Sequence, residues 1–449
     1  MTPKPALGYR AGVRRSVGVA VAAEYVTDIS YTEFASAECS LGVTADKTLF
    51  IAPAFTTNGV GVLRSDDDGT TWKALIPDGN RHRRIQPHLY LDPETDRLFF
   101  HTAQFDVMPP NPTGSGFDMS VSADGGQTWT TKKVARKARD WAKVFGGPRV
   151  GSPGRVVYMS APTPFSTRVR PIARADQQVV WRSYDGGERW EVAGRFDIDP
   201  SVLPGVDDSE YVVFGAGVVA PDGSVYIGGR YGTAFAVASS DDEGRSWTVR
   251  VVPGSRLQKY RNPLHYVLFG SDLLLPHPIA VDQDGSLYAV WPDPRGPLYG
   301  AWSSDGGRSW SRPVVVSEPS VRSTRLGVIT ATGHGRVAIA YYGRGRGRAM
   351  RGHVARSNDF RLRDPVFVGG SFDDENAPLY PYGFDPGYLG IVFGGNLNEI
   401  VGVQFGPDDE VLVSAAMQMR GRNKKRPWAV MSRRAGTQAV LGRLTRRRF

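Results

Sequence analysis

Cysteine is almost absent from this chain of 449 residues: Cys39 stands alone, so no disulfide can form within it. Histidine is scarce too, with seven copies and none at metal-ligand spacing such as His-x3-His, which speaks against zinc chemistry, and no cofactor motif replaces it. No apolar run approaches the length of a bilayer span. The N-terminal stretch RRSVGVAVAAEYV carries an apolar run of only seven residues, short for a secretion signal and equally suited to a strand, so a cytoplasmic location is favoured over a secreted one. Acidic residues are missing altogether beyond Glu410. Eleven of the 55 basic residues lie there, leaving 44 against 45 acidic groups in the rest, so the net charge of +10 belongs to the C-terminal stretch. That stretch is read as a basic tail, residues 420–449, suited to an acidic partner, nucleic acid or anionic lipid.

What is present in quantity is glycine, proline and aromatic residues: 53 Gly, 32 Pro, ten Trp, 18 Tyr and 20 Phe. Such a composition favours many short strands joined by tight turns, an all-β chain. With 41% hydrophobic residues it can bury a sizeable core.

The order is set by repeats. SDDDGTTW begins at Ser65, and SADGGQTW, SYDGGERW, SDDEGRSW and SSDGGRSW follow at Ser122, Ser183, Ser240 and Ser303, spaced by 57, 61, 57 and 63 residues. A decayed copy, ARSNDF, surrounds Ser357 and Asp359. An Asp at the third position can accept turn N–H groups, the Gly two residues later permits positive φ, and the Trp begins a strand with its indole turned inward. The octapeptide therefore closes a turn, because one turn repeated is expected of a repeat protein and one catalytic site repeated is not.

Between the octapeptides lie hairpins such as GVVAPDGSVYIGGR and IAVDQDGSLYAVWPD. With the strands flanking each octapeptide they make four-stranded antiparallel units, the blades of a β-propeller. Hairpins count to seven and octapeptides to six at most; the hairpin defines the blade, so seven is expected. The sequence divides into an N-terminal segment, 1–39, a propeller, 40–419, and the tail. The strand at Gly18 to Val26 is expected to close the ring and remove its exposed edges.

The octapeptides resemble the Asp-box, or bacterial neuraminidase repeat, S-x-D-x-G-x-T-W, and through it the chain resembles the sialidase-like propellers, a group that includes sialidases, other glycosidases and non-catalytic binders. The resemblance covers residues 40 to about 420. It implies a glycan or acidic sugar met at the central channel, with a protein-binding platform as the alternative role. Carried over residue by residue, it marks Arg84 in RRIQP as the first carboxylate-binding arginine, although Gln86 interrupts the pattern, and Asp106, 22 residues later, as acid/base. Arg230, closing a D-G-S hairpin, is the second arginine. The carboxylate that would activate the nucleophile is expected ahead of that hairpin, where Gly215 or Ala216 stands; Glu210, several residues early, is the candidate for its role. The rival register in the next blade pairs Arg295 with His277. Arg356 is the third arginine, and Tyr388 the nucleophile, with Tyr380 and Tyr382 as rivals. The chemistry implied is a guanidinium clamp on the sugar carboxylate, a Tyr activated by Glu to avoid anionic repulsion, and an Asp that protonates the leaving oxygen. The loop RGRGRGRAMRGH is read as exposed and flexible, with an anion site as its alternative.

Overall fold

The computed structural model describes residues 3–10, 24–36, 39–53, 61–77, 85–105, 114–136, 141–165, 175–207, 210–259, 275–381, 401–418 and 437–447. Their strands form seven antiparallel sheets, five with four strands and two with five. The innermost strands are Cys39–Val43, Ile85–Leu91, Lys143–Pro148, Val212–Val219, Ile279–Val281, Ser323–Thr332 and Gly402–Phe405. Each neighbours the next and the last neighbours the first, so the sheets are blades 1 to 7 of a closed seven-bladed β-propeller. One 3-10 turn, Gly333–Gly335, joins the first two strands of blade 6.

Apolar burial is organised between blades. Seven clusters of buried side chains account for the core, and each spans one blade-to-blade interface. Phe145, Tyr158 and Val180 of blade 3 pack on Phe214 and Ile227 of blade 4. Inner and middle strands read as nearly continuous apolar runs because both of their faces meet a neighbouring blade.

Blade 7 closes the ring with strands from both ends of the chain. Its order from the axis outward is Gly402–Phe405, Val411–Gln418, Thr437–Arg446 and Tyr25–Ala35. The closing strand is described from Tyr25, inside the Gly18–Val26 stretch the sequence suggested, and continues to Ala35. Tyr25, Thr27 and Ile29 are buried while Val26, Asp28 and Ser30 are only half-buried, the period-two pattern of a strand with one covered face. Most of the Gly18–Val26 expectation lies outside the described residues. Thr437–Arg446 sits between two other strands of blade 7, so a tail beginning at 420 is not the boundary of the propeller. Within Thr437–Arg446, residues 439–442 and Leu444 are buried, as befits a strand inside the sheet, while 419–436 lie outside the described residues. The first strands of the chain reach further: Lys4–Pro5 pairs with Tyr25–Ala35, and Leu7–Arg10 pairs with Val366–Ser371, adding a fifth strand to blades 7 and 6.

The octapeptides close the third and fourth strands of blades 1 to 5. In SADGGQTW the Ser122 hydroxyl donates to Asp124 (2.7 Å) and accepts the Gly126 N–H (2.8 Å). Asp124 accepts the Thr128 N–H (2.9 Å) and hydroxyl (2.6 Å), and the Trp129 indole N–H donates to the Gly126 carbonyl (2.9 Å). Hydrogen bonds from Thr128, first its hydroxyl and then its N–H, hold the Asp124 pKa down to about 2. The fourth position also has positive φ, even where it is Asp68 (55°) or Glu243 (58°). Its carbonyl is taken by an arginine of the preceding blade: Arg64 to Gly125 (2.7 Å), Arg97 to Gly186 (3.4 Å), Arg182 to Glu243 (2.9 Å), and Arg443 to Asp68. Each of these turns therefore fastens two blades. Asp124→Ala is expected to lower stability by about 1 kcal/mol, the worth of a solvent-competed turn acceptor, and to leave ligand binding intact. Thermal melts beside a binding titration check it; unchanged melting with lost binding would overturn the structural role.

Candidate functional site

Consecutive strands in a blade run antiparallel, so the octapeptides and the first hairpin turns share one face of the ring. The joins between second and third strands lie on the opposite, channel face. Arg230 is one residue from such a join, in the second strand of blade 4, where its guanidinium donates to the Gly232 carbonyl (2.8 Å) and the Gln258 carbonyl (2.9 Å). Glu210 packs against the same turn, since a Cβ on Gly232 would overlap its carboxylate, and it pairs with Lys259 (3.1 Å). Both side chains are buried. Glu210 and Arg230 are thus brought together.

Arg356 is not brought to them. It ends the third strand of blade 6, where it donates to the Asp409 carbonyl (2.6 Å), pairs with the Asp409 carboxylate (2.9 Å) and lies over the rings of Tyr25 and Phe405. This is the octapeptide face, and the side chain ties blade 6 to blade 7 as the other struts tie their neighbours. Arg230 and Arg356 therefore stand at opposite ends of the barrel-like stack and cannot share a carboxylate. Arg84, Asp106, Tyr388 and Tyr382 lie outside the described residues. Tyr380 is fully buried against Tyr342, and Arg295 is exposed on the turn after Pro292.

Inside the channel lies a cluster that local spacing could not reveal. His88, on the inner strand of blade 2, and His277, leading into the inner strand of blade 5, approach to 3.0 Å between their Nε2 atoms. Two blades separate them on one side and three on the other, so the contact crosses the axis. The Val144 N–H points at His88 Nδ1 (3.3 Å), which leaves the His88 proton on Nε2, where it is donated to His277. His101 bonds the Ala142 carbonyl (2.8 Å), and Lys143, fully buried, lies 3.6 Å over the Trp141 ring. Burial first, and the Lys143 charge second, push the His101 and His277 pKa values down to about 3. His88 falls well below its usual value by burial, then by His277, Lys143 and His101. Among the described residues no group of three or more His, Cys, Asp or Glu is placed to hold a metal ion.

The segment Leu275–Pro278 packs into the ring beside this cluster. The Ala216 N–H donates to the Pro276 carbonyl (2.8 Å), and the Ile329 N–H donates to that of His277 (3.1 Å), joining blades 4, 5 and 6. Gly215 sits at a bulge of the inner strand of blade 4, and a Cβ on it would overlap the Leu275 carbonyl oxygen. Of the two positions where the sialidase resemblance calls for a carboxylate, Gly215 thus has no room for a side chain, and Ala216 carries a buried methyl group.

No family model matches the sequence, and no curated protein is similar to it. Solved structures resemble its chain path at low identity. The NanB sialidase of Streptococcus pneumoniae is 10% identical, with a TM-score of 0.49 over 82% of this chain and 70% of that one. The intramolecular trans-sialidase of Ruminococcus gnavus is 14% identical, with 0.43 over 93% and 96%. The Aleuria aurantia lectin is 12% identical, with 0.44 over 76% and 97%.

Proposed function

We propose that this protein is a glycan-binding propeller that takes an acidic sugar at its channel face and does not hydrolyse sialosides. The observation that carries the reading is Gly215 closed against the Leu275 carbonyl. A neutral tyrosine becomes a nucleophile only with a base beside it, and of the candidate positions Gly215 is closed by backbone, Ala216 carries only a methyl group and Glu210 is engaged by Lys259. The rival register offers His277, whose Nε2 lone pair already accepts from His88 and whose basicity is suppressed by burial. Recognition needs less. A sugar carboxylate requires donors in a fixed place: the exposed Lys259 stands beside the Gly232 turn that Arg230 braces, with Arg84 as the further clamp the resemblance implies and Asp106 and Tyr388 as hydrogen-bonding contacts.

Calorimetry with 3′-sialyllactose and with lactose, beside a fluorogenic sialoside assay, tests this. Binding of sialyllactose alone, with no turnover above a boiled control, is expected. Arg84→Lys should weaken that binding by about 2 kcal/mol, because lysine keeps the charge and loses the planar fork. Equal affinity for lactose would remove the acidic sugar, and turnover abolished by Tyr388→Phe would restore the hydrolase.

A further inference from the structure

A second site stands apart from the channel, where three segments of blades 5 and 6 meet on the same face. Asp293–Pro297 (DPRGP) joins the second and third strands of blade 5, Glu318–Arg325 (EPSVRSTR) leads into the inner strand of blade 6, and Arg344–Arg348 (RGRGR) leaves its second strand. Their backbones are bonded together. The Arg322 N–H donates to the Arg344 carbonyl (2.8 Å), and both the N–H (2.7 Å) and the hydroxyl (2.9 Å) of Thr324 donate to the Gly296 carbonyl. Gly296 approaches so closely that a Cβ on it would overlap the Arg322 carbonyl.

The result is a fixed floor carrying Arg295, Arg322, Arg344, Arg346 and Arg348, all exposed. None of the five has a carboxylate within ion-pair distance among the described residues, whereas Arg351, the next basic residue along the chain, holds both Asp373 (2.8 Å) and Glu375 (3.3 Å). The two acids within the segments are engaged locally: Asp293 accepts the Arg295 N–H (2.8 Å), and the half-buried Glu318 accepts the Ser320 hydroxyl (2.5 Å) and faces His353 (3.3 Å). Five like charges gathered on one rigid floor repel one another, and with no carboxylate of the described residues paired to them they attract counter-charge from outside.

We infer that this junction binds a sulfated polysaccharide. Guanidinium groups meet sulfate oxygens in a planar two-point fork, and several neighbouring guanidinia match a chain of closely spaced sulfates better than a single sugar carboxylate. The three segments contain no Trp, Tyr or Phe, so they offer no platform for stacking bases, the device on which single-stranded nucleic acid sites depend. The inference goes beyond the channel reading and does not require it.

The test uses the full chain, a fluorescent heparin oligosaccharide, uncharged dextran and a thymidine oligonucleotide of equal charge. Heparin binding that weakens with salt, and no dextran binding, are expected. The triple variant Arg344→Ser, Arg346→Ser, Arg348→Ser should lose about thirty-fold in heparin affinity with unchanged melting, three charge-assisted contacts being removed from an exposed site. Substituting Arg422, Lys424, Lys425 and Arg426 by Ser, none of which belongs to the three segments, should change affinity by less than about threefold, the size of a surface charge effect that is not part of the site. Absent heparin binding, a triple variant that binds as wild type, loss through the second variant alone, or an oligonucleotide that competes as well as heparin would each overturn the inference. Sialyllactose is titrated separately, so its failure would sink the channel reading and leave this one standing.

Discussion

A chain lacking residues 1–35 is expected to lose its single cooperative melting transition. The deletion removes the outer strand of blade 7, which pairs along Thr437–Arg446 from Tyr25 opposite Arg446 to Ala35 opposite Gln438. It also takes away three buried side chains, Tyr9, Tyr25 and Ile29, each 6% exposed or less. Burial of side chains of this size contributes about 2 kcal/mol each, so the loss of about 6 kcal/mol rivals the whole net stability of an ordinary domain. Two sheet edges are uncovered as well, on blades 6 and 7, and exposed edges pair with other chains. Differential calorimetry and light scattering of the shortened chain check this. A melt within a few degrees of the full chain, with no aggregation, would show that the ring closes without the N-terminal strands. A synthetic peptide covering residues 24–36, added in trans, should restore part of the transition.

Acid is the second strong perturbation. The His88 and His101 side chains are 1% and 0% exposed, and both are neutral in the folded protein. Their folded pKa values lie below the free value of 6.5, so the stability they carry is complete above that value and is lost as pH falls below it. Between pH 6.5 and 5 the His101 imidazole, held at about 3, costs about 2 kcal/mol, because one pKa unit corresponds to about 1.4 kcal/mol, and His88 acts in the same direction. His277 weighs less, since part of its surface remains exposed. The octapeptide carboxylates enter later: Asp124 and Asp305 are held at about 2, so their contribution fades only below about pH 4. Melting temperature measured from pH 7 to 5 should fall steeply in the wild type. His101→Gln, which keeps a donor for the Ala142 carbonyl, should flatten that fall by about half, one of the two fully buried imidazoles having been removed. An identical slope in the variant would mean that the channel histidines are not what acid attacks.

The parts of the fold that were legible in the sequence are those decided within a few residues. An octapeptide needs only Ser, Asp, Gly and Trp at fixed offsets to close itself, and the hydrogen bonds of Ser122, Asp124 and Trp129 lie within eight residues. The seven hairpins are equally local, which is why they count the blades correctly. The octapeptides undercount for a physical reason: blade 6 keeps only Ser357 and Asp359 of the pattern, and in blade 7 the third and fourth strands come from opposite ends of the chain, so no turn joins them. The closing strand extends past the apolar run through YVTDISYTEF, whose alternation is enough because an outer strand needs only one apolar face.

The site was legible only where it is local. Glu210 and Arg230 flank a single hairpin and do meet around it. Arg356 was placed by order along the chain, and order does not say at which end of a strand a side chain falls. The channel cluster gathers His88, His101, Lys143 and His277 from three blades, and residues 88 and 277 are 189 apart in sequence. No spacing rule spans that distance. Gly215 was visible as a missing carboxylate, but the reason, a carbonyl from the following blade lying against it, belongs to the ring as a whole.

The mixed parentage of blade 7 has a consequence in time. The Thr32 hydroxyl donates to the Ala439 carbonyl, a partner 407 residues later in the chain. At ribosomal speeds of about 5 to 20 residues per second, Tyr25–Ala35 emerges roughly 20 to 80 s before Thr437–Arg446 exists. For that interval six blades can stack while the seam stays open, with one unpaired strand at the start of the arc and a bare inner face at its end. A ring built this way is sealed only once Thr437–Arg446 has been made, so a ribosome that stops short of Thr437 releases an open arc rather than a smaller ring.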